Sequence, residues 1–476
     1  MPEGVLKPLA GAVFALVYLA IASERIDKTK VALVGAALML TLGVVSQHDA
    51  FGHHELAPEI VRDYVREVGD QGIDADRLVA AARDVRGVPG ADWNTIFLLV
   101  GMMIVVAITR RTGVFQWLAI RCAKLAKGDP ARILVLLSTI TAAVSAGLDN
   151  VTTVLLIAPV TLVVAETLGV TPFPFLLCEI LASNIGGTAT LIGDPPNIII
   201  GSKAGLSFMD FVGALAPIIG LVMVVFLVTV WLLFRRQLAV PAERRQEIME
   251  LDERRAITDH RLLRRSLAVI ALILAGFGLH SQLGWEPATV ALSGAAVLFL
   301  VCGVEAEEVL QDIEWPTVFF FLGLFIMVGG LVKVGIIGDI ARVVVSQFGG
   351  SQTALVSTVL WGSAFASAVV DNIPYTMAMS EVVVDMAHSL PQAVPGLSPL
   401  HQPEVMALWW ALALGACLGG NGSLIGASAN VVVAGIAKRA GHPITFAQFL
   451  KYGLPLMVQS VLVSWAYLWL RYLRVP

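Results

Sequence analysis

Long apolar blocks separated by short charged stretches run the length of the chain. Residues 9–23, 31–46, 94–109, 132–165, 173–200, 211–234, 266–279, 287–303, 316–337, 354–385, 405–437 and 453–470 are each nearly free of charge. About 20 apolar residues carry a helix across a hydrocarbon core of roughly 30 Å, and several blocks fit that length. The pattern predicts an all-α polytopic membrane protein with about 10 transmembrane helices. Four blocks do not fit a simple crossing. Block 132–165 holds Ser145-Ala146-Gly147-Leu148-Asp149-Asn150-Val151-Thr152-Thr153 midway, and 354–385 holds Ser367-Ala368-Val369-Val370-Asp371-Asn372-Ile373-Pro374-Tyr375-Thr376. Each polar centre divides its block into two pieces too short to span, the pattern of a re-entrant hairpin. Pro374 would break a continuous helix by removing an amide donor. Blocks 173–200 and 405–437 are interrupted by residues 183–197 and 419–430, rich in glycine, proline and small polar side chains. These predict helices that cross once with an unwound middle.

The blocks recur in order. Val31-Ala32-Leu33-Val34-Gly35-Ala36-Ala37 matches Val290-Ala291-Leu292-Ser293-Gly294-Ala295-Ala296, 259 residues on. Asp92-Trp93-Asn94-Thr95-Ile96-Phe97 matches Glu314-Trp315-Pro316-Thr317-Val318-Phe319, and Asp149-Asn150 matches Asp371-Asn372, both 222 residues on. Leu191-Ile192-Gly193 and Asn197 match Leu424-Ile425-Gly426 and Asn430, 233 residues on, and Pro217 meets Pro455. The predicted organisation is a first repeat over 1–234 and a second over 265–476, joined by a charged linker over 235–264. The first repeat comprises scaffold helices at 9–46, an aqueous insertion at 47–91 and transport elements at 92–234. The second comprises scaffold helices at 265–303 and transport elements at 314–476. The linker carries Arg235, Arg236, Arg244, Arg245, Arg254, Arg255, Arg261 and Arg264, so the positive-inside tendency puts it in the cytoplasm. With one hairpin and one broken helix per repeat, each repeat makes five crossings. An odd number inverts the second repeat relative to the first. Arg25, Lys28, Lys30, Arg110, Arg111, Lys124 and Lys438 then share the linker's side; Lys333, Arg342, Arg471 and Arg474 do not.

Composition narrows the function classes. Of 476 residues, 57% are hydrophobic and only 14% charged, too little polar surface for a soluble domain. A net charge of −4 implies no nucleic-acid partner. Cys122, Cys178, Cys302 and Cys417 are scattered and read as packing residues. The N-terminal apolar run, ending Ala20-Ile21-Ala22-Ser23, has the look of a signal peptide, but its counterpart in the second repeat makes it a helix of the fold. His54-Glu55-Leu56 lacks the second histidine of a zinc-protease motif. Glycines 419, 420, 422 and 426 lack the βαβ setting of a nucleotide loop. No nucleophile–base set and no metal-ligand cluster stands out, so no enzyme, cofactor or resident metal is expected. A membrane localisation follows, the inner or plasma membrane with multiple passes.

The chemistry gathers at the broken segments. Irregular backbone at membrane depth must line protein or water, and broken helices at matching places in two repeats point to a transporter's binding site. A mid-membrane carboxylate costs roughly 2.5–3.5 kcal/mol, which makes Asp149 and Asp371 candidates for proton or ion handling. The plainer role for each is to cap a broken helix. Asp194 has no acidic mate, since Ala427 holds that place. It is either an asymmetric coupling group or a turn-former before Pro195. Glu179 is a lone acid in an apolar stretch and a further coupling candidate.

The strings Asp149-Asn150-Val151-Thr152-Thr153, Asn184-Ile185-Gly186-Gly187-Thr188-Ala189-Thr190, Gly193-Asp194-Pro195-Pro196-Asn197, Asp371-Asn372-Ile373-Pro374 and 422–430 resemble the arsenite-permease branch of the ion-transporter superfamily. That branch includes arsenite/antimonite efflux permeases, sodium/proton antiporters and the melanosomal P protein; the superfamily also holds sodium-coupled dicarboxylate transporters. The resemblance spans roughly 90–476. It implies two hairpins and two broken helices around one site. Asn150, Thr152, Thr153, Asn184, Thr188, Thr190, Asn197, Asn372, Thr376, Asn421, Ser423, Ser428 and Asn430 would supply ligand atoms there, beside the three aspartates. It implies efflux of arsenite or antimonite coupled to H⁺, with Na⁺ held at the hairpin tips as an alternative. A Na⁺/H⁺ antiporter, a sodium-coupled citrate-like anion transporter and an ion channel are the other readings. An acid at each tip would repel a dianion. The partners implied are a small inorganic ion or anion, the lipid bilayer, a second copy in a homodimer, and a cytoplasmic ATPase subunit on the linker.

Overall fold

A computed structural model describes residues 3–22, 27–51, 90–238, 240–250, 252–391 and 394–474. Most of the expected insertion 47–91, with His53, His54, Glu59, Arg62 and Asp63, lies outside the described residues, as does Arg25. The helices are, in chain order, α1 (Glu3–Ala22), α2 (Lys28–Thr41), α3 (Gln47–Phe51), α4 (Trp93–Arg110), α5 (Val114–Leu125), α6 (Pro130–Gly147), α7 (Asn150–Leu168), α8 (Phe173–Gly187), α9 (Pro195–Ala204), α10 (Phe208–Phe234), α11 (Ala242–Glu250), α12 (His260–Leu283), α13 (Pro287–Cys302), α14 (Ala306–Gln311), α15 (Trp315–Lys333), α16 (Ile336–Phe348), α17 (Gln352–Val369), α18 (Asn372–Ser389), α19 (Pro403–Gly419), α20 (Ser428–Arg439) and α21 (Phe446–Leu468). Among the described residues nine helices are long and apolar enough to cross a membrane, and the chain is an all-α multi-pass membrane protein.

The hairpins differ from expectation in one respect. Their legs are not short pieces: α6, α7, α17 and α18 have 18, 19, 18 and 18 residues. At 1.5 Å per residue each leg is roughly 27 Å long. The polar centre is therefore a turn between two long helices. It occupies few residues because both new helices are capped at once. Asp149 accepts the Thr152 amide at 2.8 Å and Asp371 the Ile373 amide at 3.2 Å. The broken helices match the expectation: α8 and α9 flank 188–194, and α19 and α20 flank 420–427.

The structure consists of two compact units, Met1–Trp93 with Pro316–Ile340, and Asn94–Trp315 with Ala341–Pro476. In the first unit α2 lies against α15: Thr29 donates to the Pro316 carbonyl at 2.9 Å, and a methyl added at Gly323 would lie 2.8 Å from the Ala32 backbone. In the second unit α13 lies against α4 in the same way. Asn94 accepts the Ala288 amide at 3.0 Å, and a methyl at Gly101 would lie 2.9 Å from the Ala291 backbone. These four residues stand at the repeat offsets from the other four, so one packing arrangement occurs twice. In both cases the scaffold helix of one repeat packs on a helix of the other.

The second unit contains the broken helices at its centre. Every residue of α8 from Pro174 to Gly187 is buried, and so is nearly all of α19. Helices apolar on all sides are core helices. Lipid supplies no hydrophobic drive between helices, so close packing rests on small residues. A methyl on Gly186 would sit 2.1 Å from the Ala142 carbonyl oxygen of α6, and one on Gly419 would sit 2.5 Å from the Ala364 carbonyl oxygen of α17. The linker between the repeats is tied to this unit by ion pairs, Arg121 with Glu253 at 2.8 Å and Arg245 with Asp129 at 3.4 Å.

Candidate functional site

The unwound middles are held by the same bonds in each repeat. Ser145 donates to the Ser183 carbonyl at 2.7 Å, and Ser367 to the Ala416 carbonyl at 2.6 Å. Thr190 donates to the Ala146 carbonyl and Ser423 to the Ala368 carbonyl. Asn197 donates to the Thr188 and Thr190 carbonyls at 3.1 and 2.8 Å, and Asn430 to those of Gly420 and Ser423, both at 2.8 Å. Carbonyls released by the helix break thus find side-chain donors inside the protein, as buried backbone requires.

At the centre the two repeats meet. Asn150 donates to Asn184 at 3.0 Å and to Asp194 Oδ1 at 3.1 Å. Asn372, on the other hairpin, reaches the same Asp194 Oδ1 at 3.5 Å, and its amide donates to the Gly426 carbonyl at 3.2 Å. Asn184 donates to Asn421 at 2.9 Å and Asn430 at 3.0 Å, and Asn421 donates to the Leu181 carbonyl at 3.2 Å. All six of these residues are at most 3% exposed. Tip to tip and break to break, the cluster joins both hairpins and both broken helices.

The three aspartates have different surroundings. Asp149 and Asp371 are half-buried and cap α7 and α18. Asp149 also accepts from the Thr152 hydroxyl, while Asp371 accepts from Ser428 at 2.9 Å. Asp194 stands at the cap position of α9 but its side chain makes no capping bond. It is fully buried, and its Oδ2 has no partner. Asn150 Oδ1 and the Thr376 hydroxyl are also buried without partners. A buried carboxylate is stable only when its charge is neutralised, by a proton or by a cation. The unpartnered oxygens of Asp194 and of Asn150, its hydrogen-bond partner, give such a species hard donors. Among the described residues no group of three or more His, Cys, Asp or Glu side chains is placed to hold a metal ion.

The remaining predicted residues divide. Thr153 and Thr188 spend their hydroxyls on the carbonyls of Asp149 and Asn184, at 2.8 and 2.7 Å, and are structural in this conformation. Glu179 is fully buried away from the cluster's bonds. Its Oε1 accepts from Thr161 on α7, and its Oε2 is without a partner.

Two features escaped the sequence reading. Cys417, read there as a packing residue, has Sγ 3.5 Å from Asn197 Oδ1, mirroring the Asn184–Asn430 bond. The 233-residue offset between 184 and 417 was the available signal. Lys203 at the end of α9 pairs with Glu381 on α18 at 2.6 Å, with side chains 20% and 10% exposed. Each is a charge in or beside an apolar block, and that was the signal.

The sequence profile of the CitMHS family, described as citrate transporter, matches residues 18–415. An uncharacterized transporter of Mycobacterium tuberculosis is 44% identical over 464 residues, covering 98% of this chain and 98% of the relative. The human P protein is 33% identical over 459 residues, covering 79% of this chain and 53% of that protein. MtrF of Neisseria gonorrhoeae, whose structure is described as illuminating a class of antimetabolite efflux pumps, has a similar fold. Its TM-score is 0.52 at 13% identity, over 97% of this chain and 98% of that one.

Proposed function

We propose, for a chain that belongs to the CitMHS family of secondary transporters, that it moves a small ion by alternating access against H⁺ or Na⁺, with Asp194 as the coupling group. The observation that carries this is a wholly buried carboxyl, one oxygen unpartnered, bridged to both hairpin tips by Asn150 and Asn372. With a proton or Na⁺ on Asp194 the cluster is neutral and the tips can close on it. Without one, the bare carboxylate draws water and favours an open state. Asn184, Asn421 and Asn430 orient the moved species or the coupled ion, and Asp149 and Asp371 hold the tips as caps. Glu179 is a second carboxyl able to carry a proton between conformations. The linker 235–264 faces the cytoplasm of an inner or plasma membrane. The membrane potential supplies about 2.3 kcal/mol per charge per 100 mV.

The moved species in this reading is arsenite/antimonite or Na⁺, as the resemblance of the tips suggests. A neutral arsenious acid or a cation is compatible with an acid at each tip, where a free dianion would be repelled. The family's description favours a second reading, a citrate-like anion. The amide-rich centre and the helix N-termini of α7, α9, α18 and α20 are chemically suited to an anion.

The test is transport into everted vesicles with arsenite, antimonite, Na⁺ and citrate, read with labelled substrate and a pH-sensitive dye. One of these should move with a proton or Na⁺ counterflow, and Asp194→Asn should abolish the coupled flux. Transport by Asp194→Asn with unchanged pH and Na⁺ dependence would remove Asp194 from the mechanism. Unitary currents in a bilayer would replace alternating access by a channel.

A further inference from the structure

The outer wall of the second unit has a dent. The exposed positions of α10, Leu221, Val224, Val228 and Leu232, recur at helical spacing and form an apolar stripe. Beside it α10, the start of α6 and the end of α5 leave an open groove of about 430 Å³. Leu125, Val135, Leu136, Leu227, Val228 and Trp231 line it.

One charged side chain also enters this lining, that of Arg132. Its backbone amide is used by the Asp129 cap at 3.1 Å, but among the described residues its guanidinium has no partner. Asp129 itself is engaged by Arg245 at 3.4 Å. Further positive charge stands nearby. Arg235 lies over the Trp231 ring at 4.6 Å, Arg236 follows it, and Lys127 is exposed in the turn between α5 and α6. An apolar trough with Arg132 in its lining, the guanidinium unpaired among the described residues, matches one kind of molecule, a chain of methylenes ending in a phosphodiester. Arginine's fork pairs with phosphate oxygens in two parallel bonds. Basic pockets between spanning helices select anionic headgroups, and tryptophan settles at the headgroup level.

We propose that this groove binds one anionic phospholipid, with its phosphate on Arg132 and an acyl chain laid between α6 and α10. The nearby acid is already paired, so the surplus positive charge selects an anionic over a zwitterionic headgroup. The site is separate from the central cluster and uses none of its residues.

The experiment uses the full chain, purified in detergent and stripped of lipid. Thermal unfolding is followed with added phosphatidylglycerol or phosphatidylcholine of matched chains. Phosphatidylglycerol should raise the midpoint by several degrees and phosphatidylcholine should not. Arg132→Gln, which removes the phosphate contact, and Leu136→Trp, which fills the trough without touching charge, should each abolish that difference. Arg254→Gln, a linker arginine that does not line the groove, should keep it. Equal shifts from the two lipids, or a phosphatidylglycerol shift surviving in either groove variant, would overturn the proposal. Each variant's lipid-free midpoint separates lost binding from lost folding.

Discussion

The sequence sets Asp149 and Asp371, matched between the repeats, apart from the unmatched Asp194, and their hydrogen bonds separate them by a different measure. Asp149 and Asp371 carry capping bonds from backbone amides, and Asp194 carries none. Asparagine caps a helix about as well as aspartate, whereas alanine costs about 1 kcal/mol. Asp149→Asn and Asp371→Asn should therefore fold like the parent and keep most of their coupled flux. Asp149→Ala should lose about 1 kcal/mol of stability, seen as a lower thermal midpoint. Asp194→Asn should fold and fail to couple. A flattened pH profile in Asp149→Asn, with its fold intact, would move the coupling role to the tips. The sequence could place all three acids at the breaks, because Asp-Asn and the Gly-Asp-Pro-Pro-Asn string mark those breaks directly. It favours the matched pair Asp149 and Asp371 for coupling, because which side chain is left without a capping amide is visible only in the fold.

Among elements, the pairs α6 with α8 and α17 with α19 rest on backbone contact through glycine. A methyl at Gly186 or Gly419 would fall 2.1 or 2.5 Å from a carbonyl oxygen, a distance backbone cannot yield without the helices parting. Gly186→Ala and Gly419→Ala should each cost roughly 1–3 kcal/mol as overpacking, read as lower thermal midpoints and poorer yield of folded protein. Gly362→Ala on α17, where nothing lies within 4 Å, should be neutral or better. Normal stability in Gly186→Ala would mean that the hairpin and broken helix are not in backbone contact. The Lys203–Glu381 pair links α9 of one repeat to α18 of the other. Removing one partner of a buried pair costs roughly 3–5 kcal/mol, and replacing both by apolar residues much less. With 20% and 10% of the side chains still exposed, Lys203→Met should lose somewhat less than that, and Lys203→Met with Glu381→Leu should recover most of it. Stability equal in the single and double variants would show that the charges do not see each other. The repeat offsets gave no warning of this pair, since neither residue has a charged counterpart at its own offset.

At the scale of the molecule, the bonds of the second unit recur between the repeats, with exceptions at the central cluster. Residue pairs at the repeat offsets make the same bonds in both halves: Ser145 and Ser367, Thr190 and Ser423, Asn197 and Asn430. That symmetry was readable from the sequence as ordered matches. The exchange of scaffold helices between repeats was not, because a single sequence carries no record of which distant segments touch. Symmetry breaks at Asp194 and Ala427, two buried residues at equivalent cap positions. Their backbones agree closely, at φ −145°, ψ 131° and φ −150°, ψ 145°. A carboxyl placed at 427 would therefore project toward Asn372 as Asp194 does toward Asn150. If coupling needs one neutralisable charge at the centre and either repeat can hold it, Asp194→Ala alone should be inactive. Asp194→Ala with Ala427→Asp should then regain part of the flux and its dependence on H⁺ or Na⁺. Ala427→Asp alone would put two carboxyls in one buried cluster. Like charges at that range cannot both stay ionised, so its flux should require lower pH or higher Na⁺ than the parent. Vesicle flux measured across pH for the three variants, with folding checked by thermal midpoint, decides the matter. A folded double variant as inactive as Asp194→Ala would mean that the first repeat alone carries the coupling and that the second serves it only as a frame.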